Sequence, residues 1–304
     1  MTTETLSFTA EEFDYLRHGD TPLRMRLFRP AGAGPHPVVI DLHGGAWNKN
    51  DLTNCFPRDE VLASMGLAVA AIDFRHAADG YPTSFADINY AVRWLKARAG
   101  ALGLDAARIG LCGQSSGGHL AMLSAMRPFD PRYGEIALAP EVVADTAGSA
   151  AGGAGDESEV DAAMDASIRC VGMLWPVINP LSRYRHALRQ RAAGAAWVTD
   201  MPESHDRYWR DEATMAEGNP VLALERGEAV ATPPTLWVQG RPDIVHDYHD
   251  PDSGQDLNEP ERFAHAYRAA GGEIEVLYVD KAAASSAAAS FEPLGRFFLA
   301  HLAG

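Results

Sequence analysis

Short apolar runs recur along the chain, separated by longer stretches in which apolar residues return every three or four positions. The runs are Pro37–Leu42, Leu67–Phe74, Arg108–Cys112, Ile168–Leu174, Thr235–Gln239 and Ile274–Val279, and their length predicts strands. Their apolarity is continuous and not alternating, which implies a sheet covered on both faces. Between them, Phe85, Ile88, Val92 and Leu95 share one helical face, with Arg93 and Lys96 turned outward. Pro260–Ala270 repeats this pattern with Phe263 and Tyr267 and ends at Gly271 and Gly272. Phe291–Leu302 predicts a closing helix. Strand, helix, strand in this order predicts an α/β protein with a mostly parallel sheet flanked by helices. Two regions depart from the rhythm. Ala147–Gly155, built of small residues, predicts a flexible surface loop. Leu181–Asn219 carries helical material without a strand, either a cap over the strands' carboxyl ends or a helical pair on the surface.

Composition narrows the function classes. With 304 residues, 46% hydrophobic and 22% charged, the chain has the makings of a sizeable core. A net charge of −15 disfavours nucleic acid and anionic membrane as partners, because both would repel it. The first twenty residues lack the apolar stretch of a secretory signal, and no run is long enough to cross a bilayer. Cys55, Cys112 and Cys170 are few, odd in number and far apart, which fits a reducing compartment. A soluble, cytoplasmic protein is the expectation. Cys112 lies within a strand pattern and is expected to be a small core residue. Oligomeric state is left open, including a homo-oligomer.

The chemistry concentrates at Gly113-Gln114-Ser115-Ser116-Gly117-Gly118, between the strand Arg108–Cys112 and the helical run His119–Met126. A serine on a tight strand-to-helix turn is pushed clear of the backbone, and small residues two before and two after it relieve the crowding: a nucleophile elbow. The helix that follows turns its unpaired N–H groups toward developing negative charge. Upstream, Asp41-Leu42-His43-Gly44-Gly45-Ala46-Trp47 leaves the end of a strand as a glycine loop. The amides of Gly44, Gly45 and Ser116 are candidates for an oxyanion hole. No cofactor is implied.

These two segments, His43-Gly44-Gly45 and Gly113 to Ala121, resemble the hormone-sensitive-lipase-like serine esterases, with the acetyl-esterase and kynurenine-formamidase branches close by. Asp73-Phe74-Arg75, Asp87 with Trp94-Leu95, Trp175-Pro176-Val177 and Thr232-Pro233-Pro234 extend the likeness, which runs from about Pro37 to Gly304. It implies an α/β-hydrolase fold of eight strands over residues 1–304 as one domain, with a helical cap around 181–219. It further implies hydrolysis of a small-molecule ester or amide through an acyl-enzyme. Asp243, after the strand Thr235–Gln239, matches the family's acid, whose role is to orient and balance the base.

One part of the pattern fails. The family's base is a histidine shortly after the last strand, but Asp280-Lys281 is followed here by Ala282-Ala283-Ala284-Ser285-Ser286-Ala287-Ala288-Ala289-Ser290. His301 lies far along the closing helix. Without a base a serine hydroxyl is a poor nucleophile at neutral pH. The base then comes from His246 or His249, where three residues from the acid is a short reach; or catalysis is lost and the chain is a binding protein of the same fold; or the alanine-serine tract stands in for other residues. The other histidines have plainer roles: His43 shapes the glycine loop, and His119, one turn past Ser115, packs against the sheet. His246-Asp247-Tyr248-His249-Asp250 has metal-ligand residue types, but an acidic surface loop accounts for it and no metal is expected. Trp209 lines an acyl pocket or simply packs.

Overall fold

The computed structural model describes residues 5–140, 142 and 165–303. The tract Ala147–Gly155 lies outside these described residues. Each predicted run is a strand: β3 (His36–Leu42), β4 (Ala68–Ile72), β5 (Leu104–Gln114), β6 (Cys170–Leu174), β7 (Thr235–Arg241) and β8 (Ile274–Asp280). All six are parallel to one another. Two more strands precede them, β1 (Phe8–His18) and β2 (Thr21–Pro30), an antiparallel hairpin that joins β4 through β2. The continuous-run criterion passes over this hairpin because apolar and polar residues alternate along most of β2, although Phe28 is buried on the opposite face against Phe8 and Phe56. Leu23, Met25 and Leu27 are buried while Arg24 faces out, a period-two alternation.

The sheet order is β1-β2-β4-β3-β5-β6-β7-β8. Side chains of each parallel strand alternate between two apolar layers. Val38, Ile40 and Leu42 face α2 (Thr83–Leu102), α3 (Ser116–Met126) and α8 (Glu259–Ala269), whereas Val39, Cys112 and Val238 face α1 (Phe56–Ser64) and α9 (Glu292–His301). Burial on both faces is why these strands read as unbroken apolar runs, each aliphatic side chain adding about 1.5–3 kcal/mol. Arg93 does not point to solvent as the helical wheel predicts. It is buried, with Nε donating to Asn89 Oδ1 (2.9 Å) and Nη2 to the Ile136 carbonyl, because the segment after α3 covers that side of α2. Asp87, also on α2, accepts from the Arg75 guanidinium and backbone N–H and from His18, tying the hairpin to α2.

Between β6 and β7 the chain forms only helices: α4 (Pro180–Ala192), α5 (Met201–Trp209), α6 (Glu212–Glu217) and α7 (Pro220–Glu225). Asn179, Asp211 and Asn219 cap three of them by accepting from first-turn amides. The chain leaves β3 toward β4 on one side and returns to β5 on the other. That reversal opens a crevice at the strands' carboxyl ends, where open α/β sheets bind ligands. No helix among the described residues is long and apolar enough to cross a membrane.

Candidate active site

Ser115 sits between β5 and α3 with φ 52° and ψ −120°, a conformation that costs a non-glycine residue free energy and that the surrounding structure must hold in place. The turn closes only because its neighbours lack side chains. A Cβ on Gly113 would overlap the Gly117 carbonyl group, and one on Gly117 would overlap the carbonyl oxygen of Leu42. Backbone bonds pin the bend from outside: the Ser115 N–H donates to the Leu174 carbonyl (3.0 Å), and the Val177 N–H donates to the Ser115 carbonyl (3.0 Å). Ser115 is left half-buried.

The glycine loop lies against this turn. A Cβ on Gly44 would come within 3.3 Å of Ser115 Cβ, and Gly45 holds φ at 120° as the Asn48 and Lys49 amides bond its carbonyl. Among the described residues, the Gly44 and Gly45 amides donate to no protein acceptor. His43 Nδ1 donates to the Gly44 carbonyl (2.8 Å) and its ring stacks on Phe74 at 4.3 Å, so it shapes the loop. Burial pushes its pKa down.

A histidine reaches Ser115 from the turn that carries Asp243. His246 Nε2 is 3.1 Å from Ser115 Oγ, and His246 Nδ1 is 3.0 Å from Asp243 Oδ2. Three residues of separation are enough because the chain after Asp243 makes a tight turn. The His246 and Asp247 amides both bond the Asp243 carbonyl (3.3 and 2.8 Å), which brings the side chains of residues 243 and 246 to the same side. A carboxylate only accepts, so Nδ1 carries the proton and Nε2 is the acceptor facing the serine hydroxyl.

The BD-FAE family profile matches residues 25–146. A protein of Mycobacterium tuberculosis named as a probable carboxylic ester hydrolase, LipM, is 36% identical over 33% of this chain and 24% of its own length. An arylesterase of Saccharolobus solfataricus is 29% identical over 40% of this chain and 41% of its own. The chain thus spans well under half the length of these curated relatives. Among solved structures, an esterase from Pyrobaculum calidifontis superposes with a TM-score of 0.65 at 18% identity over 97% of this chain and 85% of that one. An esterase of Thermogutta terrifontis gives 0.64 at 21% identity over 97% and 92%. The chain has the α/β-hydrolase fold.

In this α/β-hydrolase fold Asp243 is held by more than His246. Asp243 Oδ2 also accepts from Lys281 Nζ at 2.8 Å, and Oδ1 accepts from the Val245 N–H at 3.1 Å. Although burial raises the carboxyl's pKa, the bonds from His246 and Lys281 overcome it and hold Asp243 well below the usual range. Lys281 is the second residue of the segment expected to bear a histidine, and only its contact with Asp243 reveals its part. His246 is pushed down to about 4, by burial first and then by the charge of Arg183, against the upward pull of Asp243. The imidazole is therefore neutral at pH 7.

Beneath the site, Arg58 on α1 is fully buried and joins the two strands that carry the glycine loop and the serine. Its Nε and Nη2 donate to both oxygens of Asp41 (2.7 and 2.6 Å), and its Nη1 donates to Gln114 Oε1 (2.8 Å). Asp41 is the penultimate residue of β3, next to the glycine loop, and Gln114 immediately precedes Ser115. No local pattern links residues 41, 58 and 114, so this fork is invisible in the sequence.

The remaining candidates disperse. His119 is buried, with Nε2 donating to the Gly218 carbonyl (2.8 Å) and Nδ1 accepting from Trp47 Nε1 (3.3 Å), and burial lowers its pKa to about 3. It joins α3 to the inserted helices. Trp209 is fully buried, stacked on Tyr81 and edge-on to Trp47, so it packs and lines no open surface. In the 246–250 cluster, His249 Nε2 bonds the Gln255 carbonyl, Asp247 pairs with Arg241, and Asp250 pairs with Arg262 and Arg189. These groups diverge, and no metal-ligating cluster occurs among the described residues. Two larger surface cavities, of about 490 and 610 Å³, are lined by residues of 224–270 and of 126–132 with 228–231, away from Ser115.

Proposed function

We propose that this chain is a serine hydrolase that cleaves small carboxylic esters through an acyl-enzyme, with Ser115 as nucleophile, His246 as base and Asp243 as its partner. The observation that carries this is the chain of contacts from Ser115 Oγ through both ring nitrogens of His246 to Asp243. Ser115 Oγ attacks the carbonyl carbon while His246 Nε2 takes its proton, and Asp243 balances the imidazolium that forms. The amides of Gly44, Gly45 and Ser116 would hold the oxyanion. As the tetrahedral intermediate collapses, the C–O bond to the alcohol breaks and His246 returns the proton to the departing oxygen. Water, deprotonated by the same histidine, then attacks the acyl carbon, the bond from that carbon to Ser115 Oγ breaks, His246 returns the proton to Oγ, and the carboxylic acid leaves.

The ester hydrolases among the relatives support this reaction class, and amide cleavage is the same chemistry with a poorer leaving group. The idea of a fold that only binds rested on a missing base, and the position of His246 removes that motive. We further propose that residues 1–304 act as one domain with α4–α6, around 181–219, as its cap, and that the chain works in the cytoplasm, a setting that fits its three free, buried cysteines. Short-chain aryl esters and a fluorophosphonate probe test the function. Turnover and labelling are expected, both lost in Ser115→Ala, with kcat falling about 10⁴-fold or more. A folded wild-type protein that neither turns over nor labels would refute it.

A further inference from the structure

The turn that carries Asp243 and His246 lies between β7 and α8, outside the sheet. Ile244, within that turn, is 57% exposed, so burial of its side chain does not anchor the bend. An anchor comes instead through the peptide unit that joins Ile244 to Val245. Its N–H, on Val245, donates to Asp243 Oδ1 (3.1 Å), while its carbonyl, on Ile244, accepts from His186 Nε2 (2.9 Å). A trans peptide is planar and turns as one piece, so whatever fixes this carbonyl also fixes the N–H aimed at the carboxylate. A bond at the carbonyl also polarises the unit and strengthens its N–H as a donor.

His186 lies midway along α4 and is itself held firmly. Its ring lies flat on Tyr248, with centroids 3.9 Å apart and planes 2° apart. The Tyr248 hydroxyl accepts from Ser182 Oγ (3.2 Å), one turn earlier on the same helix. One turn later, Arg189 pairs with Asp250 and Asp252 (3.4 and 3.0 Å). Burial lowers the pKa of His186, so the ring is neutral at pH 7, with its proton on the nitrogen that faces the carbonyl.

We infer that His186 is a positioning residue for the reaction: through the 244–245 peptide it sets Asp243, and through Asp243 the imidazole that faces Ser115. The inference rests on the proposed hydrolase function and gives α4 a part in it. A base carried on a loop, and not at the end of a strand, lacks the sheet's hydrogen bonds, and this helix supplies the missing constraint.

The test compares wild type, His186→Phe and His186→Gln on short-chain aryl esters. Phenylalanine keeps a ring on Tyr248 but loses the donor, whereas glutamine restores an N–H near the position of Nε2. Each rate is divided by the number of Ser115 sites that a fluorophosphonate probe titrates to completion, so misfolded protein does not count. His186→Phe is expected to lower kcat per site about 10-fold with KM within about twofold, and His186→Gln to recover most of the loss. A purely structural side chain would lower Tm and the number of sites but leave kcat per site unchanged. Unchanged kcat per site in His186→Phe, with water satisfying the carbonyl, overturns the inference and leaves the hydrolase standing. An equal loss in both variants overturns it as well. If His186→Phe does not fold, the ¹⁵N shifts of the wild-type imidazoles decide: a proton on Nε2 of His186 is expected, and one on Nδ1 overturns it. A wild-type protein with neither turnover nor Ser115 labelling overturns both readings.

Discussion

In the proposed reaction, a histidine three positions after Asp243 takes the role that the resemblance assigns to a residue after the last strand. The turn closed by the Asp243 carbonyl sets His246 beside Asp243, and the same imidazole reaches Ser115. His246→Ala should therefore lower kcat about 10³-fold or more with little change in fold, leaving only the contribution of backbone amides and binding. A silent substitution would remove His246 from the reaction. The pH profile gives an independent check. Neutral imidazole is the active form, and burial lowers its pKa to about 4. As pH falls, kcat/KM should hold through the ordinary histidine range and drop only on a limb near 4. A limb near the usual histidine value would mean that solvent reaches the ring.

At the scale of elements, the site is assembled by contacts between segments distant in sequence. Trp47 follows the glycine loop, His119 lies on α3, and Gly218 follows α6; one hydrogen-bonded line joins them. Around it Trp47 stacks on Tyr208 at 5.9 Å, Asn48 Nδ2 donates to the Ser204 carbonyl (2.7 Å), and the Tyr81 amide bonds the Tyr208 carbonyl (3.0 Å). The inserted helices are thus seated on the glycine loop itself. His119→Leu should cost about 1–3 kcal/mol in a denaturant melt, because it strands the buried Trp47 N–H and the Gly218 carbonyl. Its acid limb should stay where it is in the wild type. A shift of that limb would show that His119 takes part in proton transfer.

For the molecule as a whole, buried histidines govern the response to acid. His36, His43, His119, His186, His205 and His246 all have pKa values lowered chiefly by burial. Between those depressed values and about 6.5, the unfolded chain binds more protons than the folded one, so stability falls as pH falls through that window. Asp59 and Glu259 act in the opposite sense, since burial raises both and the folded state holds their protons longer. Among the described residues six groups oppose two, and the carboxylates held low, Asp243 among them, add to the loss at lower pH. The Tm should be distinctly lower at pH 5 than at pH 7. An equal or higher Tm at pH 5 would mean that the two raised carboxyls prevail.

Sequence alone determined the six parallel strands, the helices between them and the serine turn, because each is written in neighbouring residues: apolar continuity, helical spacing, and glycine where a side chain would collide, as at Gly113 and Gly117. The hairpin β1–β2 left only an alternation from Leu23 to Leu27 in the sequence, because arginines separate its buried apolar residues there. Tertiary structure decided which histidine faces Ser115, that Lys281 holds Asp243, and that Arg58 joins Asp41 to Gln114. Those pairings depend on how a turn rolls and on which strand ends become neighbours. A side chain's partner across the sheet leaves no periodic trace in its own segment, so periodicity could locate the elements but not the contacts between them.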